Sequence, residues 1–260
     1  MSTWKLRTIG SHRFKDPILI EGLPGIGNVG KVAADFLVDE LEAKRVATLT
    51  SNSFPHSVFV NEQNLVEMPL IEIYHKKLNK KDILLLVGDV QPIDEESCYS
   101  FCKEVLNLFN SYGGKEIITI GGIGLQDIPK KPKVYCTGNT KKVIQKYTKG
   151  TGVINKLYGV VGPIVGVSGL LVGLAKDSKV DAICLLAETY GHPMYLGIKG
   201  AREVLNIITK KLQFQLNLKE LDKEIDEIEK GFIKSNELAN VGKTGLKVPG
   251  QIGEDVNYIG

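Results

Sequence analysis

Two hydrophobic rhythms run through this chain. Continuous apolar runs at Pro17–Ile20, Ile83–Val87 and Ala182–Ala187, with Lys115–Ile120 beside them, read as strands buried on both faces, the pattern of a parallel sheet. Between them, apolar residues recur at helical spacing. Val29, Val32, Ala33, Phe36, Leu37 and Leu41 follow the first run, and Tyr99, Cys102, Val105, Leu106 and Phe109 follow the second. Asp94 predicts the N-cap of a helix over 95–111, and Gly113-Gly114 its end. Asn139-Thr140 predict the start of a helix through Tyr147, a short helix spans 170–175, and another begins at Gly197 with Ala201, Val204, Leu205 and Ile208 inward. Arg45–Thr50 reads as a second strand. Ser57–Val60 and Leu65–Tyr74 read as extended segments around a hairpin loop at Asn61–Asn64, an antiparallel excursion at one edge.

Strand and helix thus alternate through position 200, which predicts an α/β fold: a mostly parallel central sheet with helices on both faces. The predicted core domain covers 1–215. Over 216–234 the period changes: Phe214, Leu218, Leu221, Ile225, Ile228 and Phe232 are spaced four and three apart, a heptad seam flanked by charge. Under three heptads is short for a free-standing coiled coil, so the seam is expected to pack within its own chain or against the same helix of another subunit. Residues 235–260 carry six glycines or prolines and little periodicity, and read as a flexible C-terminal tail.

Composition narrows the function classes. The 260 residues are 43% hydrophobic and 24% charged, ordinary for a globular protein, and the net charge of +3 is too small and scattered to suggest nucleic-acid binding. The basic run Lys130-Lys131-Pro132-Lys133 reads as a solvated loop. No signal-peptide pattern or membrane-length apolar run is evident. Four cysteines (Cys98, Cys102, Cys136, Cys184) fit no disulfide framework, so they are expected buried and reduced, in the cytoplasm.

Candidate chemistry clusters in the turns that follow the strands, where open sheets bind ligands. Gly25, Gly27 and Gly30 match the spacing of a dinucleotide fingerprint between strand and helix. The acidic residue expected about 20 positions on is missing: Ser51-Asn52-Ser53 follow the second strand, which favours a turn that packs helix on sheet. An alternative ligand site, for a small phosphorylated or nucleoside-like molecule, would use Gly25, Gly27, Asn28, Asp89 and Glu188. There Asp89 and Glu188 would form a carboxylate pair with His192 as proton shuttle. Gly166-Val167-Ser168-Gly169 falls short of a serine-hydrolase elbow, because Leu170 stands where glycine is needed. The scattered histidines have no zinc-ligand spacing.

Taken in order, five stretches resemble the proteasome assembly chaperone family, second type, in its archaeal and bacterial form. They are Glu21–Gly30, Gly88-Asp89-Val90-Gln91-Pro92, Gly121-Gly122-Ile123, Gly166–Leu171 and Cys184–Thr189, and the resemblance covers about residues 15–215. It implies a core related to phosphorylase/hydrolase-like folds, a C-terminal helical extension, homo-oligomers such as trimers or tetramers, no cofactor and no catalysis. The implied partner is the α-subunit ring of the 20S proteasome, as an assembly factor or activator. Such proteins dock a C-terminal hydrophobic–Tyr–any segment between α subunits. Here the chain reads Asp255-Val256-Asn257-Tyr258-Ile259-Gly260. Tyrosine stands third from the end rather than second, so Tyr258, Ile259 and Gly260 match the pattern in part.

Overall fold

The computed structural model describes residues 4–159, 162–193, 195–219, 221–223, 225 and 227. The chain divides into two units, Met1–Leu218 and Lys219–Gly260. Of the seam, Leu221 and Ile225 are buried in the single chain, while Ile228 and Phe232 lie outside the described residues, as does the tail with Tyr258, Ile259 and Gly260.

The first unit is built on an eight-stranded mixed sheet. Its strands are β1 (Trp4–Thr8), β2 (Ile18–Gly22), β3 (Lys44–Ser51), β6 (Ile71–Leu78), β7 (Lys81–Gly88), β8 (Glu116–Leu125), β9 (Val134–Gly138) and β10 (Asp181–Tyr190). Two further strands, β4 (Phe59–Val60) and β5 (Val66–Glu67), form a separate hairpin. The order across the sheet is β1-β3-β6-β7-β2-β8-β10-β9. The four central strands β7, β2, β8 and β10 are parallel, and antiparallel pairings extend the sheet on both sides.

The helices are α1 (Val29–Glu40), α2 (Glu95–Ser111), α3 (Lys141–Thr148), α4 (Val167–Ala175) and α5 (Ile198–Leu212). Because side chains alternate across a strand, each central strand feeds two layers. Leu19, Leu84, Ile117 and Cys184 join Phe101, Cys102 and Leu171 of α2 and α4 in one core cluster. Ile18, Ile20, Leu85 and Leu185 are equally buried on the opposite face, where α1 packs on β2, β7 and β8, and α5 on β10. Double-sided burial explains why these strands read as largely apolar runs without alternation. Helix starts follow local chemistry. The Asp94 carboxylate accepts from the Ser97 amide at 2.8 Å, and the Thr140 hydroxyl from the Val143 amide at 3.2 Å, each satisfying a donor that the first turn leaves unpaired.

Four departures from the sequence pattern have physical causes. β1 carries no alternation because it is an edge strand with one buried residue, Trp4, whose ring packs against Phe54 and Phe101. The extended segment expected over 65–74 breaks into β5 and β6, with Pro69, which has no amide to donate, between them. Helix α4 starts at Val167 rather than Leu170: Gly166 turns the chain at φ +88°, and the Val167 amide donates to Gln91 Oε1 at 3.2 Å. Gly121–Gly124 and Glu188-Thr189 belong to β8 and β10 rather than to turns, and pair with each other in register. Glycine in β8 lets the loop before α1 rest directly on the sheet. A Cβ at Gly122 would lie 2.2 Å from the Ile26 carbonyl oxygen.

Candidate functional site

The loop between β2 and α1 owes its glycines to close packing. Built onto the backbone, a Cβ at Gly22 would lie 2.2 Å from the Gly30 carbonyl oxygen, and one at Gly30 would lie 2.5 Å from the Ile120 oxygen. Helix α1 therefore approaches β2 and β8 backbone to backbone. Gly27 takes a left-handed φ of +60°, and a Cβ there would meet the Thr189 side chain at 2.5 Å. The Gly27 carbonyl accepts from the Gly197 amide at 2.7 Å, which seats the start of α5 on the same loop. Asn28 is also left-handed, at φ +50°, and its side chain makes no capping bond. Gly25 alone of the three fingerprint glycines is exposed, with open space where a Cβ would go.

Beneath this loop lies a buried acid. Glu21 ends the run Ile18-Leu19-Ile20 and is fully enclosed on the α2/α4 face. Its Oε1 accepts from the Leu23 amide at 3.0 Å and its Oε2 from the Ser168 hydroxyl at 2.9 Å. Ser168 Oγ also lies 3.3 Å from the Ile120 carbonyl oxygen, and the Ser168 carbonyl accepts from Thr119 Oγ1 at 2.9 Å. Burial raises the Glu21 pKa from 4.5 to about 7, against the opposing pull of these hydrogen bonds. The titratable groups it faces are the thiols of Cys98 and Cys102 on α2 and of Cys184 on β10. All four cysteines are buried and free. The Cys98–Cys102 hydrogen bond lowers the Cys98 pKa and raises that of Cys102. Glu21 is not among the site residues that the sequence predicts. The available signal was a carboxylate closing an otherwise all-apolar strand.

Gln91 latches the neighbouring loops together. Its Nε2 donates to the Pro24 carbonyl at 2.7 Å while its Oε1 receives the Val167 amide. The loops after β2 and β7 and the one before α4 are thereby tied at the carboxyl edge of the parallel strands.

The expected carboxylate pair is not assembled. Asp89 is exposed beside α1, where its carboxylate accepts from the Leu70 amide at 3.3 Å. It lines a shallow cleft of about 220 Å³ with Lys31, Asp35, Asp39, Glu72 and Tyr74. Lys31 pairs with Asp35 at 2.9 Å and donates to the Gly88 carbonyl at 3.2 Å. Burial raises the Asp35 pKa, with Lys31 opposing the shift and Asp39 and Asp89 adding to it. Glu188 lies on the other side of the sheet's centre, three strand spacings or about 14 Å away at the strand level. There it accepts from the Lys133 amide at 2.9 Å and from the Tyr135 hydroxyl at 3.3 Å, holding β9 to β10. His192 stacks on Tyr190, with ring centroids 5.6 Å apart. Gly25, Gly27 and Asn28 sit between the two carboxylates but belong to a loop whose inner surface is committed to Thr189 and Gly197. Among the described residues, no three metal-ligating side chains are gathered in one place, and no helix is long and apolar enough to cross a membrane.

Comparison with known proteins places this geometry. The family model described as the PAC2 family matches residues 19–234. The chain is 30% identical to the uncharacterized protein MJ1210 of Methanocaldococcus jannaschii, over 95% of this chain and 93% of that one. Among solved structures it is similar to Pyrococcus furiosus PbaB, described as an archaeal proteasome activator. The TM-score is 0.83 at 32% identity, covering 91% of this chain and all of that one. It also shares the fold of P. furiosus PbaA, described as an archaeal homolog of proteasome-assembly chaperone. There the TM-score is 0.74 at 23% identity, with 92% and 94% of the two chains covered.

Proposed function

The chain belongs to the PAC2 family, and on that premise we propose that it is a non-catalytic cytoplasmic protein that binds the α-subunit ring of the 20S proteasome. The observation that carries this reading is the match along the full length of an archaeal proteasome activator at 32% identity. The carboxyl edge of the sheet supports it. Its glycines are used for backbone packing, and the two carboxylates that chemistry would require are held apart by separate structural tasks.

In this reading Tyr258, Ile259 and Gly260 anchor the protein to the α ring, and a homo-oligomer presents several such segments at once. Each weak contact then adds to the others through a high effective concentration. The seam Phe214, Leu218, Leu221, Ile225, Ile228 and Phe232 is the expected oligomer contact next to the tail, but Phe214 lies in the non-helical stretch that follows α5, so the helical part of that contact begins after it. The test is deletion of residues 255–260, followed by capture on purified α rings and sedimentation of the free protein. Loss of capture at unchanged oligomer size is the expected result. Full capture by the truncated chain removes the tail from the mechanism.

A further inference from the structure

The large apolar side chains that remain exposed among the described residues are unevenly distributed. Val58, Phe59, Val60, Leu65, Val66 and Met68 are between 41% and 73% exposed, and all lie on or beside the β4–β5 hairpin. That hairpin pairs only with itself, through two residues on each strand. A two-stranded ribbon of this size, with apolar residues outward, is not stable in water by itself. It needs a cover.

Topology and charge indicate the cover. The hairpin leads into β6, whose first residue Ile71 pairs with Gly88 at the end of β7, so the hairpin stands at the carboxyl edge of the parallel strands. Segment 55–69 holds Glu62 and Glu67 and no lysine or arginine. The loop from Leu125 to Val134 joins the end of β8 to the start of β9 and stands at the same edge. It holds Lys130, Lys131 and Lys133 against Asp127, and all three lysines are exposed. Half-buried Ile128 and Pro129 lie in the same loop, and lysine stems can extend its apolar surface.

One patch is therefore acidic and apolar, the other basic, with formal charges of −2 and +2. The loop starts at β8, three strand spacings or about 14 Å from β6, and ends at β9, five spacings or about 24 Å away, both beyond the Debye length of roughly 8 Å in physiological salt. The two patches on one copy are thus too far apart to neutralise each other. We propose that they meet between copies: the 58–68 hairpin of one subunit docks on the 126–133 loop of the next. The hairpin and the loop are different surfaces, so the contact is either made twice across a two-fold axis or repeated around a closed ring, and in both every hairpin is covered. This rests on the homo-oligomer of the proposed function and assigns its contact to the core unit.

The test is the mass of the full chain in solution, measured by light scattering after size exclusion and by sedimentation velocity. Wild type is expected as one closed oligomer. Val66→Asp should give monomer with an unchanged circular dichroism spectrum. Glu62→Lys and Lys131→Glu should each weaken association roughly fivefold per contact, and the double variant should recover it. The swap guards against simple misfolding, since a damaged hairpin would not be repaired by a second change in a loop at least three strand spacings away in the sheet. A wild-type monomer, an oligomer indifferent to Val66→Asp, or single-charge losses that the swap does not restore would each overturn the proposal. So would a hairpin variant that keeps its oligomer size but no longer binds α rings, because the patch would then face a different protein. Tail deletion reads out separately, in capture at constant mass, so the failure of one idea is distinguishable from the failure of the other.

Discussion

Glu21→Gln isolates the one carboxylate that, among the described residues, the fold encloses completely. The amide is the nearest isostere of the protonated acid. It keeps an acceptor for the Leu23 amide and places a donor toward Ser168 Oγ, which can pass its own proton to the Ile120 carbonyl. In the native protein the acid titrates near 7, against 4.5 for an ordinary glutamate. Below about pH 4.5 both folded and unfolded chains carry the proton, and the favourable contribution is complete. Between 4.5 and 7 the unfolded chain releases the proton while the native state retains it, so stability falls as pH rises. Above 7 both are ionised and the loss is complete. At about 1.4 kcal/mol per tenfold, the interval corresponds to roughly 3 kcal/mol, a large share of the stability of a typical domain. Urea unfolding of wild type and Glu21→Gln between pH 4 and pH 9 measures it. The variant should gain on wild type by roughly 3 kcal/mol across that range, with most of the change between pH 5 and pH 7. Parallel stability profiles would refute the reasoning, because they would mean that the native carboxyl titrates no differently from the unfolded one.

Two glycine substitutions in helices should have opposite signs: Gly30→Ala pushes a methyl to 2.5 Å from the Ile120 oxygen and should cost about 1–3 kcal/mol, while Gly173→Ala meets open space and should stabilise by about 0.5–1 kcal/mol, both read by thermal unfolding. Gln91→Ala removes both latch bonds and should cost about 1–3 kcal/mol, with faster amide exchange at Val167 as the local signature. Tyr147→Phe deletes the hydroxyl that donates to the buried Glu116 carboxylate, leaving Lys146 as its partner. It should cost about 1–3 kcal/mol in urea titrations at neutral pH. Removal of residues 255–260 should leave these stabilities unchanged while abolishing capture on α rings.

The sequence by itself determined the elements whose signals are local. Four central strands buried on both faces cannot help but read as apolar runs, and the caps at Asp94 and Thr140 announce helices through side chains that satisfy their own first turns. The missing acid after the second strand favoured a packing turn at Gly25–Gly30 over a nucleotide fingerprint, and the series of glycine stretches was enough to indicate the family. Tertiary structure decided what those stretches are for. Gly22, Gly30 and Gly122 are required by backbone that arrives from elsewhere in the chain, which no local pattern reveals. Asp89 and Glu188 both follow or end parallel strands, so sequence places them alike, yet strand order puts two strands between their own and commits each to a separate amide. Glu21 looked like the first residue of a turn and is the most enclosed charge in the sheet, because burial is a sum over neighbours that only the assembled layers supply. The same reason governs the hairpin. Its apolar residues have the alternation of any strand, and only the finished sheet shows that nothing within the described residues covers them.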